Sequence, residues 1–251
     1  VTNIEKSQGL DYVGIKQGVI VWRVKDEANY NGTIIRIEFE DGRVIEETIT
    51  KDRTLKKEFD GAEYYYYEIS DNEYTCIDGV GKSKINAGNY TIKLLTLGKY
   101  DSTNDIEILN SNYTDAQDMV RLSKVSTDAI VSNNGVLVWK HLDQAHINQY
   151  IVVLTGAKTY TFTTVNPQID FTITADNYGN LLETGSYSIV IKAVGEDYIS
   201  SMQSNSATGF TKLATVTGAT EKDDYISWQA VENAQGYKVT FEWTNSSGAE
   251  S

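Results

Sequence analysis

Apolar and polar residues alternate with period two in short runs along most of the chain, which is the spacing of a half-buried strand. In one run Tyr187, Ile189, Ile191 and Ala193 share a face, and Ser188, Val190 and Lys192 share the other. In another, Tyr150, Val152 and Leu154 oppose Ile151 and Val153. Turn-forming clusters separate the runs: Ser132-Asn133-Asn134-Gly135, Thr155-Gly156, Asp176-Asn177-Tyr178-Gly179-Asn180 and Gly195-Glu196-Asp197. The single helical expectation is a short turn over 117–124. Strands with one apolar face need a second sheet to cover them, so the pattern predicts an all-β chain of sandwiches.

The pattern also repeats. Gly18-Val19-Ile20-Val21-Trp22 recurs as Gly135-Val136-Leu137-Val138-Trp139 and again as Asp224-Tyr225-Ile226-Ser227-Trp228. An alanine follows each Trp at the same offset (Ala28, Ala145, Ala234), and an apolar alternating run comes next. A second motif, Ala87-Gly88-Asn89-Tyr90-Thr91-Ile92, returns as Thr184-Gly185-Ser186-Tyr187-Ser188-Ile189. The Trp-to-Tyr distance is 68 residues in the first copy and 48 in the second. The first copy therefore carries an insertion of about twenty residues, placed within 41–84. The third copy stops before any Gly-x-Tyr motif.

Short strands, about seven per copy of roughly 90 residues, predict a β-sandwich for each unit. The Trp is then a core anchor of about 150–250 Å². Gly-x-Tyr predicts a tyrosine corner, whose hydroxyl ties the start of a late strand to the chain just upstream. Leu181 or Leu182, and Ile85 in the first copy, supply the apolar residue before that corner. On Trp139, Ala145, Tyr150, Leu181, Leu182, Tyr187, Ile189 and Ile191, each unit resembles a fibronectin type III domain of the divergent kind arrayed in surface proteins of Gram-positive bacteria. The resemblance implies tandem immunoglobulin/fibronectin type III-like sandwiches and no enzymatic activity. The chain departs from that family in proline, having only Pro167, which leaves sheet edges to be protected by charge, bulges or covering loops.

The expected units are 1–122, with the insertion, then 123–213, and then 214–251 as the first half of a third sandwich. Half a sandwich leaves an apolar face and open edges. Either the chain is a piece of a longer array, or another chain or the second unit completes it, with Phe241 and Trp243 needing cover. Self-association through 214–251 is thus one expectation. The links at Arg121-Leu122-Ser123-Lys124 and Thr211-Lys212-Leu213 lack a Gly/Ser tract and predict stiff joints.

Composition narrows the function. The 251 residues carry 22 Lys and Arg against 35 Asp and Glu, a net charge of −13. Such a chain would be repelled by nucleic acid, which is bound by neutralising phosphates. No run reaches the ~20 apolar residues of a spanning helix, so no membrane insertion is expected. Cys76 stands alone and reads as a small buried hydrophobe. His141 and His146 read as solvated loop residues, without the spacing of a metal site. No nucleophile elbow, phosphate loop or zinc-protease motif occurs. Asp101-Ser102-Thr103-Asn104-Asp105 and Asp176-Asn177-Tyr178-Gly179-Asn180 gather oxygens, but such loops favour Asp and Asn for backbone reasons. No cofactor is expected.

Tyr64, Tyr65, Tyr66 and Tyr67 stand in a row, and with Tyr178 they are the candidate ligand-binding residues. Tyrosine offers a rigid face with a polar tip. The alternative is that alternate rings line the core and the others shade the outer face of a strand. The leading expectation is a non-catalytic, extracellular spacer or adhesion array on a bacterial surface, with a host or self protein or a glycan as partner. The second is a carbohydrate-binding accessory module of a larger secreted enzyme, which requires a planar strip of tyrosines facing solvent.

Overall fold

A computed structural model of the chain describes residues 3–77, 79, 81–126, 131–133 and 135–241. Asn134 of a predicted turn, and Trp243, lie outside them. The described residues form strands and two short 3₁₀ turns, with no α-helix. The first part of the chain holds β1 (Asn3–Lys6), β2 (Leu10–Lys16), β3 (Val19–Val24), β4 (Gly32–Phe39), β5 (Val44–Thr50), β6 (Leu55–Phe59) and β7 (Ala62–Tyr67). It continues with β8 (Tyr74–Thr75), β9 (Lys82–Ser83), β10 (Gly88–Thr96), β11 (Tyr100–Asp101), β12 (Ile106–Leu109) and β13 (Gln117–Arg121). The second part holds β14 (Val131–Asn133), β15 (Val136–Val138), β16 (Ile147–Thr155), β17 (Thr159–Thr164), β18 (Gln168–Asp170), β19 (Gly185–Gly195) and β20 (Ala207–Lys212). A last hairpin pairs β21 (Thr220–Lys222) with β22 (Tyr225–Ser227).

Two sheets make the first sandwich, ordered β2-β3-β7-β6 and β13-β10-β4-β5. Period-two alternation sends Ile20, Trp22 and Tyr65 inward from one sheet to meet Ile35, Ile37, Ile92, Leu94 and Met119 from the other. Trp22 is fully buried, and its indole N–H donates to the Tyr30 hydroxyl at 3.3 Å. Truncating a tryptophan so placed costs about 3–5 kcal/mol. The insertion extends the chain between β4 and β7 and adds β6, whose exposed Lys56, Lys57 and Glu58 blunt that edge.

The second sandwich repeats the plan in sheets β14-β15-β18 and β17-β16-β19-β20. Its core gathers Leu137, Trp139, Tyr150, Val152, Leu154, Phe162, Tyr187, Ile189 and Ile191. Tyr90 and Tyr187 both close tyrosine corners, donating at 2.9 Å to the carbonyls of Asn86 and Glu183. Ile85 and Leu182 are the buried residues before those corners, whereas Leu181 is exposed. With proline scarce, loops cover edges. Asn177 donates its backbone N–H to Thr161 O at 2.8 Å on the outer side of β17, and Ile77 does the same to Val44 O at 3.0 Å beside β5.

Two expectations fail. Residues 117–121 are a strand: β13 pairs antiparallel with β10, placing Met119 in the core, so tertiary pairing overrides the weak helical tendency expected there. Among the described residues the third copy forms the β21–β22 hairpin and no further strand. Tyr237, Val239 and Phe241, expected on a strand, make no strand pairing among the described residues and are exposed, with Tyr237 packing on Trp228 at 5.2 Å and accepting the Val231 N–H at 2.6 Å. A strand without a neighbouring strand to complete its ladder does not hold.

Candidate interface at the joint between the sandwiches

Between β2 and β3 the chain turns on Gln17 and Gly18, at φ 45° and 80°. Both groups there face the second sandwich. The Gln17 N–H donates to Glu196 O at 2.9 Å, and Gly18 O accepts from the Ser200 N–H at 3.0 Å. A Cβ on Gly18 would lie 1.9 Å from Ser200 Oγ, so both the left-handed backbone and the close approach demand glycine.

The partner is loop 196–204, between β19 and β20. Two serines shape it. Ser201 Oγ and Ser204 Oγ accept the N–H groups of Ala193 and Ile191, each at 2.9 Å. The N–H groups of the same two serines donate to Ala193 O and Ile191 O, also at 2.9 Å. The serines thus satisfy the edge of β19 where β20 has not begun, and the loop between them is free to project. It carries Ile199, 1% exposed, into the core of the first sandwich. Ile199 also forms a parallel bridge with Arg121, through Ile199 N–H to Val120 O at 2.8 Å and Leu122 N–H to Ile199 O at 3.0 Å.

Arg121, the last residue of β13, is buried at the centre of this contact. Its Nε donates to Ser200 O at 3.1 Å, its Nη1 to Ile85 O at 2.5 Å and Ser70 O at 3.3 Å, and its Nη2 to Asp71 Oδ1 at 2.6 Å. The other Asp71 oxygen accepts the Gln203 N–H at 3.0 Å. A planar guanidinium with five donors suits so many acceptors, which a lysine could not serve together. Lys192 and Glu68 pair across the same joint.

The linker is held as well. Asp143 Oδ2 accepts from the Ser123 N–H at 2.9 Å and the Ser123 hydroxyl at 2.6 Å, and His141 Nε2 meets Ser123 O at 2.7 Å. Burial raises the Asp143 pKa, but the Ser123 hydrogen bonds lower it and prevail, so the carboxyl stays below its usual range. His146 stacks on Tyr198 at 4.0 Å, with the planes 5° apart. The histidines are part-exposed loop residues, as expected, but each also makes a structural contact: one clasps the linker, the other supports loop 196–204.

The five candidate tyrosines do not make one strip. Alternation turns Tyr65 and Tyr67 inward and Tyr64 and Tyr66 outward. Tyr65, 5% exposed, packs on Trp22 at 6.0 Å and Tyr30 at 4.7 Å and donates its hydroxyl to Glu27 at 2.6 Å. Burial raises the pKa of both Tyr65 and Tyr67. Tyr64 points outward yet is only 8% exposed, because Tyr12, Phe59 and the Arg23 guanidinium crowd over it at 5.4, 6.1 and 5.3 Å. Tyr66 is half-buried and lines a groove of about 250 Å³ that crosses the joint, with Gln17, Lys57, Phe59, Gln149 and Ile151. Tyr178, 82% exposed, stands alone on a loop folded around Asp176, whose Oδ1 accepts the N–H groups of Tyr178 and Asn180 at 2.9 and 2.7 Å. Asp101 is engaged similarly, by the Thr103 N–H at 3.0 Å and Asn104 Nδ2 at 2.9 Å.

Cys76 is buried. Among the described residues no group of three or more His, Cys, Asp or Glu converges as a metal site would need. No helix among them is long and apolar enough to cross a membrane. Of the residues that build the joint, Gly18 lay in the repeated Trp motif and Arg121 in the predicted stiff link, whereas Asp71, Ile199 and Ser200 belonged to no motif. The available signal was an arginine ending the strand just before a linker without glycine.

No protein-family model matches the chain, and no curated protein sequence matches it. Among solved structures, the FN1-FN3 domains of chicken CNTN1 are similar, at 13% identity over 92% of this chain and 77% of that one, with a TM-score of 0.20. The sheet orders and the two cores described above carry the statement that this is an all-β chain of tandem sandwiches.

Proposed function

We propose that this chain is a non-catalytic modular protein of the fibronectin type III-like kind, extracellular on a bacterial surface or secreted, in which stacked sandwiches act as a stiff spacer or adhesion array. The observation that supports it is Arg121, which joins Ser70, Asp71 and Ile85 of one sandwich to Ser200 of the next from a buried position. A freely hinged pair has no use for a buried charge between its units, because such a charge is costly unless its partners stay in place. Carbohydrate binding lacks a comparable observation, since among the described residues no planar strip of tyrosines faces solvent.

Small-angle scattering of the full chain tests the reading. The expected profile is that of two sandwiches in one fixed arrangement, which Arg121→Ala broadens into a distribution of inter-unit distances. Independent tumbling of the sandwiches in the unaltered chain would overturn it.

A further inference from the structure

The far end of the second sandwich repeats the parts of the first joint. Gly135 holds the place of Gly18 in the Trp motif, at φ 83° against 80°, and its carbonyl accepts the Phe171 N–H at 3.0 Å where that of Gly18 accepts the Ser200 N–H. Lys212 lies opposite Gly185, as Arg121 lies opposite Gly88. Leu213 therefore matches Leu122, and it is exposed where Leu122 is buried. Leu137 pairs with Ile169 as Ile20 pairs with Tyr67, so Thr172 and Ile173 match Ser70 and Asp71. Ile173 is 77% exposed. A cavity of about 850 Å³ opens here, walled by Gly135, Phe171, Thr172, Lys212 and Leu213 on one side and by Asn233, Gln235 and Gly236 on the other.

That second wall identifies what belongs in the space. Counting from Trp139 and Trp228, Gln235 matches His146. His146 O accepts the N–H of Glu196, and the His146 ring stacks on Tyr198, so this residue anchors loop 196–204 in the first joint. The third copy thus presents the anchoring loop beside a socket whose counterpart is filled by Tyr198, Ile199 and Ser200.

We propose that this cavity is a second docking socket, built to receive the loop of a following sandwich that carries an aromatic, a β-branched apolar residue and serines in that order. The inference rests on the joint reading above. Continuity with an occupied interface of the same chain selects this occupant. The exchange of Asp71 for Ile173 and of Arg121 for Lys212 makes the second socket more apolar than the first, with a single ammonium for loop carbonyls, which also donates to Phe171 O at 3.4 Å.

The test is a peptide of the sequence of residues 195–204, closed by a disulfide between cysteines added at its ends and titrated into the ¹⁵N-labelled full chain. Saturable shifts at Gly135, Thr172, Lys212 and Leu213 are expected, with a Kd of about 1 mM or tighter. Lys212→Ala should weaken binding by about tenfold, the worth of one charged hydrogen bond. Leu213→Asp should do the same from a position outside the sheet, and a scrambled peptide should not bind. Absence of saturable shifts, shifts confined to Gly18 and Arg121, or indifference to both substitutions would overturn the proposal. None of these bears on the scattering of the first joint, so the two readings fail separately.

Discussion

The Tyr90 hydroxyl donates to the Asn86 carbonyl at 2.9 Å, four residues back along the chain. Tyr187 repeats the bond to Glu183 at the same distance, although the two corners sit in sandwiches of different length. The corner fixes where the central strands β10 and β19 begin, so the phase of both inner faces depends on it. Tyr90→Phe and Tyr187→Phe should each lower stability by about 0.5–1.5 kcal/mol, the net worth of a hydrogen bond. Urea titration of the two variants checks this. A cost confined to one of them would show that the corners are not equivalent.

The tryptophan anchors differ in how their polar atoms are served. In the first sandwich the Tyr30 hydroxyl takes the Trp22 N–H and pairs with Thr33 Oγ1 at 2.9 Å. In the second, Trp139 and Tyr150 meet edge to face at 5.1 Å, and the Trp139 N–H and the Tyr150 hydroxyl face each other without the alignment of a full hydrogen bond. Tyr30→Phe should therefore cost about 1–3 kcal/mol by stranding a buried donor. Tyr150→Phe should be neutral or slightly stabilising. Equal losses in thermal melts of the two variants would contradict the difference.

Local pattern carried most of the architecture and little of the joint. The phase of 187–193 and 150–154 was legible because one side of each strand is buried and a slip of one residue would expose it. The corners were legible because their donor and acceptor are four residues apart. Arg121 was not: its acceptors Ile85, Asp71, Ser70 and Ser200 lie 36, 50, 51 and 79 residues away. The four consecutive tyrosines were ambiguous for a related reason. Alternation predicts two outward rings, but only tertiary packing, with Phe59 and Arg23 over Tyr64, decides that an outward ring is buried.

Gly18 and Gly42 separate backbone strain from the joint. Both have φ in the left-handed region, at 80° and 88°. A Cβ on Gly42 meets nothing within 4 Å, whereas one on Gly18 overlaps Ser200 Oγ. Gly42→Ala should cost only the conformational term of about 1–2 kcal/mol. Gly18→Ala should cost roughly 1–3 kcal/mol more through overpacking, and it should raise hydrogen exchange at the N–H groups of Gln17 and Ser200. If the two variants melt alike and exchange stays unchanged, the Gly18–Ser200 contact does not hold the joint.

Alkaline pH should open the molecule before it opens a chain with exposed tyrosines. Burial raises the pKa of Tyr30, Tyr67, Tyr90 and Tyr187, and burial with the Glu46 hydrogen bond pushes Tyr113 up to about 12. A tyrosine whose folded pKa exceeds its unfolded value of about 10 holds its proton more tightly when folded. Its contribution is complete below pH 10 and is lost as pH rises through the folded value. Phenolate absorbance at 295 nm should therefore lag behind that of free tyrosine above pH 10, then rise together with the loss of near-ultraviolet circular dichroism. Tyr67→Phe removes one such group and should shift that transition to higher pH. Titration of all tyrosines near pH 10 with the dichroism intact would refute the assignment of these rings to the interior.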